Sequence, residues 1–233
     1  MVKYIIIPTY NEAENLPTLV KEIFNLDISD LNIVVVDDNS TDGTGALADE
    51  LSKKYDLTVI HRPTKLGLGS AYLVGFKKAF EFKADVIFEM DADFSHNPQD
   101  IPRFITEIKS GYDVVIGSRR VSGGNVSGWS WSRNLESKSA MIFARFVLNL
   151  TTKDITAGYR CYRSNVLKKI GLDNIKSNSY AFQEEMIYFC EKKGFKIKEI
   201  PVTFADRKLG KSKLGIKDII EFFITIFRLK FKL

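Results

Sequence analysis

Lys3-Tyr4-Ile5-Ile6-Ile7-Pro8-Thr9-Tyr10-Asn11-Glu12 opens on a short β-branched run and passes straight into a polar turn. The same pattern returns downstream. Strands are predicted at 3–7, 33–36, 57–60, 85–89 and 113–116, with amphipathic helical patterns between them at 12–24, 43–55, 67–82 and 98–110. Pro17 inside the first helical pattern moves its expected start to near Leu16. Asn97 ahead of Pro98 supplies an N-cap followed by proline at the first helical position. Nearly continuous apolar strands joined by helices imply an α/β fold with a mostly parallel central sheet and helices on both faces.

The second half is less regular. A loop rich in Gly, Ser and Trp runs over 118–132, followed by a long helix from about 134 to 150, a helix at 182–193 and a strand at 196–203. A basic loop at 206–214 then leads into a C-terminal amphipathic helix. No linker separates two cores, so a single unit is expected, with 1–205 catalytic and 206–233 directed at a membrane interface.

With 233 residues, 45% hydrophobic and 27% charged, the chain can bury a sizeable core, which excludes intrinsic disorder, collagen-like repeats and a disulfide scaffold. The net charge of +5 is uneven: residues 191–233 carry twelve Lys and Arg against five Asp and Glu, a local +7 that leaves −2 elsewhere. A mildly acidic body with a basic tail suits a tail facing phosphates or an anionic membrane, and does not by itself indicate nucleic acid. Cys161 and Cys190 stand far apart without metal-ligand spacing and are expected as reduced, buried or half-buried thiols of a cytosolic compartment. The apolar run at the N-terminus is too short for a signal peptide. Residues 216–233 come closest to a membrane span, but Lys217, Asp218, Glu221, Arg228, Lys230 and Lys232 interrupt them.

Sheets of this kind bind ligands at the carboxyl ends of their strands. Pro8-Thr9-Tyr10-Asn11-Glu12 follows the first strand, Asp37-Asp38-Asn39-Ser40 the second and Asp91-Ala92-Asp93 the fourth. No glycine-rich turn follows the first strand, which argues against a dinucleotide site. Gly67-Leu68-Gly69, after the third, reads as a tight turn that lets its helix pack close to the sheet in preference to a phosphate-binding loop. Asp91 and Asp93, at i and i+2 of an extended segment, point to one side and repel unless a cation or donor lies between them. Taken alone, Asp-x-Asp also suits a solvated turn; placed directly after a buried strand, it suits a hard cation such as Mg²⁺ or Mn²⁺. Asp37 and Asp38 alternate faces, and Asp38 is expected to accept nucleoside hydroxyl or amino protons.

The three strand-end motifs, with Asp91-Ala92-Asp93 continuing to Phe94-Ser95-His96, resemble the family 2 glycosyltransferases of the GT-A, Rossmann-like type. Five further segments narrow the resemblance to the dolichol-phosphate (polyprenol-phosphate) mannose synthases: GSRRVSGGNVSGW at 117–129, SRNLESKSA at 132–140, DITAGYRCYR at 154–163, YAFQEEM at 180–186 and DRKLGKSKLG at 206–215. The first-half motifs are shared by many sugar transferases; the second-half ones are more specific. Some relatives carry transmembrane helices after the catalytic region, and this sequence resembles the subclass without them or a truncated form. The resemblance implies inverting transfer of mannose from GDP-mannose to dolichyl or polyprenyl phosphate, with UDP-glucose or another nucleotide sugar as the alternative donor. It assigns the guanosine to Pro8, Tyr10, Glu12, Val36 and Asp38, and the metal and diphosphate to Asp91, Ala92 and Asp93. Where some relatives supply a glutamine to the metal, Ser95 stands here, so water is an alternative third ligand. The donor phosphates fall to Arg119, Arg207 and Lys213; the acceptor phosphate to Arg119, Arg133 and Ser137. A small membrane subunit is a further candidate partner, and the implied location is peripheral, on the cytoplasmic face of a membrane.

Chemistry agrees with these roles. A phosphate nucleophile is already ionised near neutral pH and needs no general base. Glu185, near the start of its helix, is therefore expected to orient the sugar or cap the helix, and a catalytic base role would instead point to a hydroxyl acceptor. His61 and His96 are solitary and expected in ordinary polar contacts. Met141, Ile142, Phe143, Phe146, Val147 and Leu148 on one helix, and Phe222, Phe223, Ile226 and Phe227 on the last, form stripes suited either to the core or to a bilayer surface. Trp129 and Trp131 fit interfacial anchors or loop plugs equally. The basic 206–213 loop, punctuated by Gly210, is either a solvated charge run or a lid over the diphosphate.

Overall fold

A computed structural model describes residues 1–178, 181–206 and 216–231, with side chains of the last segment described from residue 219. In chain order the first half runs β1 (Lys3–Thr9), α1 (Leu16–Phe24), β2 (Leu31–Asp37), α2 (Thr44–Ser52), β3 (Leu57–His61), α3 (Leu68–Glu81), β4 (Val86–Glu89), α4 (Ile101–Lys109) and β5 (Val114–Ser118). This is the predicted alternation. Helix α1 begins at Leu16 with Pro17 in its first turn. The Asn97 side chain does accept from Gln99 N–H (3.1 Å), but it opens a short 3₁₀ turn at Pro98–Asp100 that feeds α4.

The second half holds β6 (Asn125–Ser127), α5 (Trp131–Leu148), β7 (Arg160–Arg163), α6 (Ser164–Ile170), α7 (Phe182–Lys192), β8 (Ile197–Pro201), β9 (Thr203–Ala205) and α8 (Ile216–Phe231). The main sheet has the order β3-β2-β1-β4-β7-β5-β8. Every neighbouring pair is parallel except those made by β7, which runs antiparallel between β4 and β5. The predicted strand at 196–203 is two strands, because β8 edges the main sheet while β9 leaves it to pair with β6.

Period-two alternation sorts the strand residues onto two cores. Ile5, Ile7, Val35, Phe88 and Val115 face α1 and α4, while Tyr4, Ile6, Val34, Ile87 and Tyr162 face α3 and α7. Helix α3 lies so near the sheet that a Cβ on Gly75 would fall 2.2 Å from Ile6 Cγ2, so glycine is required for that approach. Both thiols are buried and free, as expected. Among the described residues no helix is long and apolar enough to cross a membrane.

Candidate active site

The carboxyl ends of β1, β2, β4 and β5 share one edge, and β4 delivers the Asp91-Ala92-Asp93 segment there. Ala92 is buried and packs beneath the sheet with Phe88 and Met90. Asp91 keeps 27% of its side chain exposed. Its Oδ1 accepts from Tyr72 Oη (3.0 Å), and its backbone N–H donates to His96 Nδ1 (3.0 Å). His96 thus makes the kind of polar contact expected of it: it lies behind Asp91, stacked on Tyr159 at 4.8 Å, and burial holds its pKa below the ordinary value. Asp93 is buried, and its Oδ1 accepts from Ser95 N–H (3.1 Å). Phe94 between them sits at φ 61°, a left-handed conformation costing a bulky residue about 1–3 kcal/mol. This turn brings Ser95 back toward Asp93, and the buried Ser95 Oγ has no hydrogen-bond partner. Among the described residues no three His, Cys, Asp or Glu side chains form a metal cluster. Two carboxylates plus an unsatisfied hydroxyl are a hard-oxygen set that fits Mg²⁺ or Mn²⁺, provided that other oxygens complete the shell.

Next to this cluster, Asp37 ties strand ends together by accepting from Thr9 Oγ1 (3.0 Å) and Ser40 Oγ (2.5 Å). Asp38 is also buried: Arg62 Nη1 stands 2.7 Å from its Oδ1, and Leu66 and Gly67 N–H donate to Oδ2 at 3.3 Å each. Burial raises the Asp38 pKa, partly offset by Arg62. The Gly67 turn therefore serves Asp38. At φ 98° its Cβ would strike Asn178 O at 2.4 Å, so the turn itself packs tightly against the 177–178 loop while the helix after it lies close to the sheet, as expected. Tyr10 is half-buried under Lys65 Nζ (3.9 Å to the ring), Pro8 is half-buried, and Glu12 accepts from Asn15 Nδ2 (2.9 Å). The Val36 side chain is fully buried on the α3 face of β2, which leaves only its backbone to meet the expected guanosine.

The cationic wall differs in detail from expectation. Arg119, just past β5, spends Nε and Nη2 on Asp154 (2.8 and 2.7 Å) and Nη2 also on Thr156 Oγ1 (2.6 Å). Only 7% of its side chain is exposed, so it braces the 154–156 loop. Arg133 pairs with Asp206 (3.2 Å) and lies 4.3 Å over Trp129. Ser137 Oγ faces Arg120, a residue that sequence reasoning passed over beside Arg119. Arg207 and Lys213 lie outside the described residues, as does most of the basic loop.

Beneath the edge lies a buried polar floor. Arg160, fully buried, donates to the carbonyls of Ala157 (2.7 Å), Ile155 (2.7 Å) and Gln183 (2.8 Å), and Gln183 Nε2 donates to Glu89 (2.8 Å). Burial pushes Glu89 up to about 7 and Glu184 to about 8, and Glu184 Oε2 has no partner. Glu185 accepts from Lys176 and Ser177 N–H (3.1 and 2.8 Å) and pairs with Arg228 of α8 (2.7 Å). It fastens α7 to the 176–177 segment and to α8. Because folded Glu184 keeps its proton above the ordinary carboxyl value of 4.5, the stability it confers is full below pH 4.5 and is lost as pH rises toward about 8. Glu184→Gln should therefore melt above the parent at pH 8.5 and with it near pH 4, as scanning calorimetry at the two pH values will show.

Helices α5 and α8 pack together through Phe143, whose ring lies 5.7 Å from Phe223 and 6.4 Å from Phe227. Each is two-faced: Met141, Ala144, Leu148 and Ile226 are buried, while Ile142, Phe146, Ile220 and Ile224 are exposed. Trp129 is a half-buried plug against Phe204, whereas Trp131 is 79% exposed. His61 is exposed and bonded to Asp49 (2.9 Å), an ordinary contact.

A model of the family described as glycosyl transferase family 2 matches residues 4–171. The polyprenol monophosphomannose synthase of Mycolicibacterium smegmatis is 46% identical over 93% of this chain and 82% of its own length. The undecaprenyl-phosphate mannosyltransferase of Micrococcus luteus is 44% identical over 90% of this chain and 86% of its own. Among solved structures, glucosyl-3-phosphoglycerate synthase from Mycobacterium tuberculosis in complex with Mn²⁺, uridine diphosphate and glucosyl-3-phosphoglycerate superposes with a TM-score of 0.70 at 15% identity, covering 98% of this chain and 79% of that one. Mannosyl-3-phosphoglycerate synthase from Rubrobacter xylanophilus gives 0.69 at 19% identity, covering 100% and 73%. These two likenesses show a common α/β fold.

Proposed function

The chain belongs to glycosyl transferase family 2, and on that premise we propose that it transfers mannose from GDP-mannose to a polyprenyl phosphate, inverting the anomeric centre and releasing GDP. The names of the two long relatives support a lipid-phosphate mannosyl acceptor reaction. The observation that carries the reading is the meeting, at one sheet edge, of an oxygen-rich acidic cluster with an arginine wall that reaches Ser137. A donor diphosphate and an anionic acceptor need both.

Asp91, Asp93 and Ser95 Oγ would hold Mg²⁺ or Mn²⁺. When bound, such an ion supplies Lewis-acid stabilisation of the departing diphosphate. Asp38 accepts nucleoside protons while Arg62 holds it in place. The acceptor phosphate oxygen attacks C1 of the sugar as the bond from C1 to the GDP oxygen breaks, so no proton has to move. Glu185, engaged with Arg228 and two amides, is free of that duty. Catalysis is then positioning plus electrostatic stabilisation. Arg207 and Lys213 keep the donor-phosphate role that the resemblance gives them. The exposed apolar face of α5 and α8, flanked by basic residues, serves as the bilayer contact of a peripheral protein on the cytoplasmic face, and the chain acts as one catalytic unit with α8 as its interface element.

The test is a panel of labelled nucleotide sugars given to the purified chain with polyprenyl phosphate, scoring label that enters organic solvent. Label from GDP-mannose is expected. Label from UDP-glucose alone would establish the alternative donor, and label from no donor would overturn the reading.

A further inference from the structure

Three arginines line the wall beside the acidic cluster, and two of them already have anions. Arg119 is bound by Asp154 through its own backbone N–H, Nε and Nη2 (2.8, 2.8 and 2.7 Å). Arg133 is paired with Asp206. Arg120 makes no direct carboxylate contact among the described residues: its Nη1 donates to Asn134 Oδ1 (2.7 Å) and its Nη2 makes a long contact with Ser137 Oγ (3.5 Å), both uncharged. Among the described residues no carboxylate forms an ion pair with it. The side chain is half-buried, and its buried Nε has no hydrogen-bond partner. Burial and then the neighbouring Arg119 charge disfavour its charged form, and the Asp154 carboxylate, already engaged by Arg119, offsets them in part from a distance. A guanidinium kept cationic in such a place is stabilised by an anion, and a planar fork matches phosphate oxygens in particular.

We infer that Arg120 binds the phosphate head group of the lipid acceptor, with Ser137 beside it. This inference rests on the polyprenyl-phosphate reading above and goes past the assignment of that phosphate to Arg119. Asn134 and Ser137 lie one helical turn apart on α5, the helix whose other residues reach the exposed apolar face, so a head group held here leaves its prenyl chain beside that face. The long Nη2 contact to Ser137 is weak and gives way readily to a phosphate oxygen at normal hydrogen-bond length.

Arg120→Gln should raise KM for undecaprenyl phosphate about 10- to 100-fold while KM for the nucleotide sugar stays within about 2-fold. Arg120→Lys should recover part of that loss. Calorimetry with farnesyl phosphate, farnesol and inorganic phosphate separates the sources of binding. The parent should prefer farnesyl phosphate to both others, and Arg120→Gln should lose the preference over farnesol. A purely structural Arg120 predicts equal losses for nucleotide sugar and lipid together with a lowered melting temperature, and that result overturns the inference. So does an unchanged farnesyl phosphate affinity in Arg120→Gln, or a parent that binds inorganic phosphate as tightly as farnesyl phosphate. Should the parent form no glycolipid from any donor, the functional reading fails, yet the calorimetric comparison still decides whether Arg120 holds a prenyl phosphate.

Discussion

Asp93→Asn is expected to lower kcat about 1,000-fold and leave the melting temperature within a few degrees of the parent. The substitution keeps an oxygen that can accept from Ser95 N–H, so the turn built on Phe94 survives. What it removes is one negative charge from a set that, in the proposed reaction, must hold a dication against a diphosphate. Titrating Mn²⁺ by electron paramagnetic resonance should show weakened ion binding in parallel with the lost rate. Glu185→Gln is the contrasting variant. Its amide oxygen can still accept from Lys176 and Ser177, and turnover should remain within about 10-fold of the parent, because an ionised phosphate needs no base. A dead but folded Glu185→Gln would point to a hydroxyl acceptor. Full-rate glycolipid synthesis by chelated parent enzyme would remove the metal from the scheme.

The first half of the fold was legible because its strands, buried on both faces, write short continuous apolar runs, while its helices, buried on one, write a helical period between them. The placement of Asp91 and Asp93 at the sheet edge was legible too, since they directly follow a buried strand. The central antiparallel strand β7 was not. Arg160 and Arg163 bracket it, and charged ends read as loop unless burial is known. Tyr72 reads as one more apolar residue of α3, although its hydroxyl reaches Asp91 across 19 positions in sequence. Arg119 and Arg120 are indistinguishable side by side in sequence. Only Asp154, which binds Arg119 directly from 35 residues away, separates a braced arginine from one whose hydrogen bonds go to uncharged groups. Stripes on α5 and α8 were visible, but each mixes core and exposed positions, and periodicity alone cannot sort them.

Arg160→Met should cost about 3–5 kcal/mol of folding stability, a large share of the roughly 5–15 kcal/mol that domains possess, seen as a lower urea midpoint at unchanged slope. Methionine nearly fills the same space, so a cavity is not the reason. The guanidinium supplies every hydrogen bond that the carbonyls of Ile155, Ala157 and Gln183 receive from it, and none of these can turn to water at a fully buried site. Its charge also favours the ionised forms of Glu89 and Glu184, offsetting part of the burial that pushes them up to about 7 and 8. Replacing a whole buried ion network by apolar groups can be neutral or stabilising, but removing one member leaves the others stranded. Arg160→Lys should fall between, because one ammonium keeps the charge but cannot span three carbonyls in the fixed fork geometry. The loss should extend to function, since these bonds join the 155–157 loop and the first turn of α7 directly beneath Asp91. An Arg160→Met protein within 1 kcal/mol of the parent would mean that the floor of the site holds itself together by packing, with the buried cation merely tolerated.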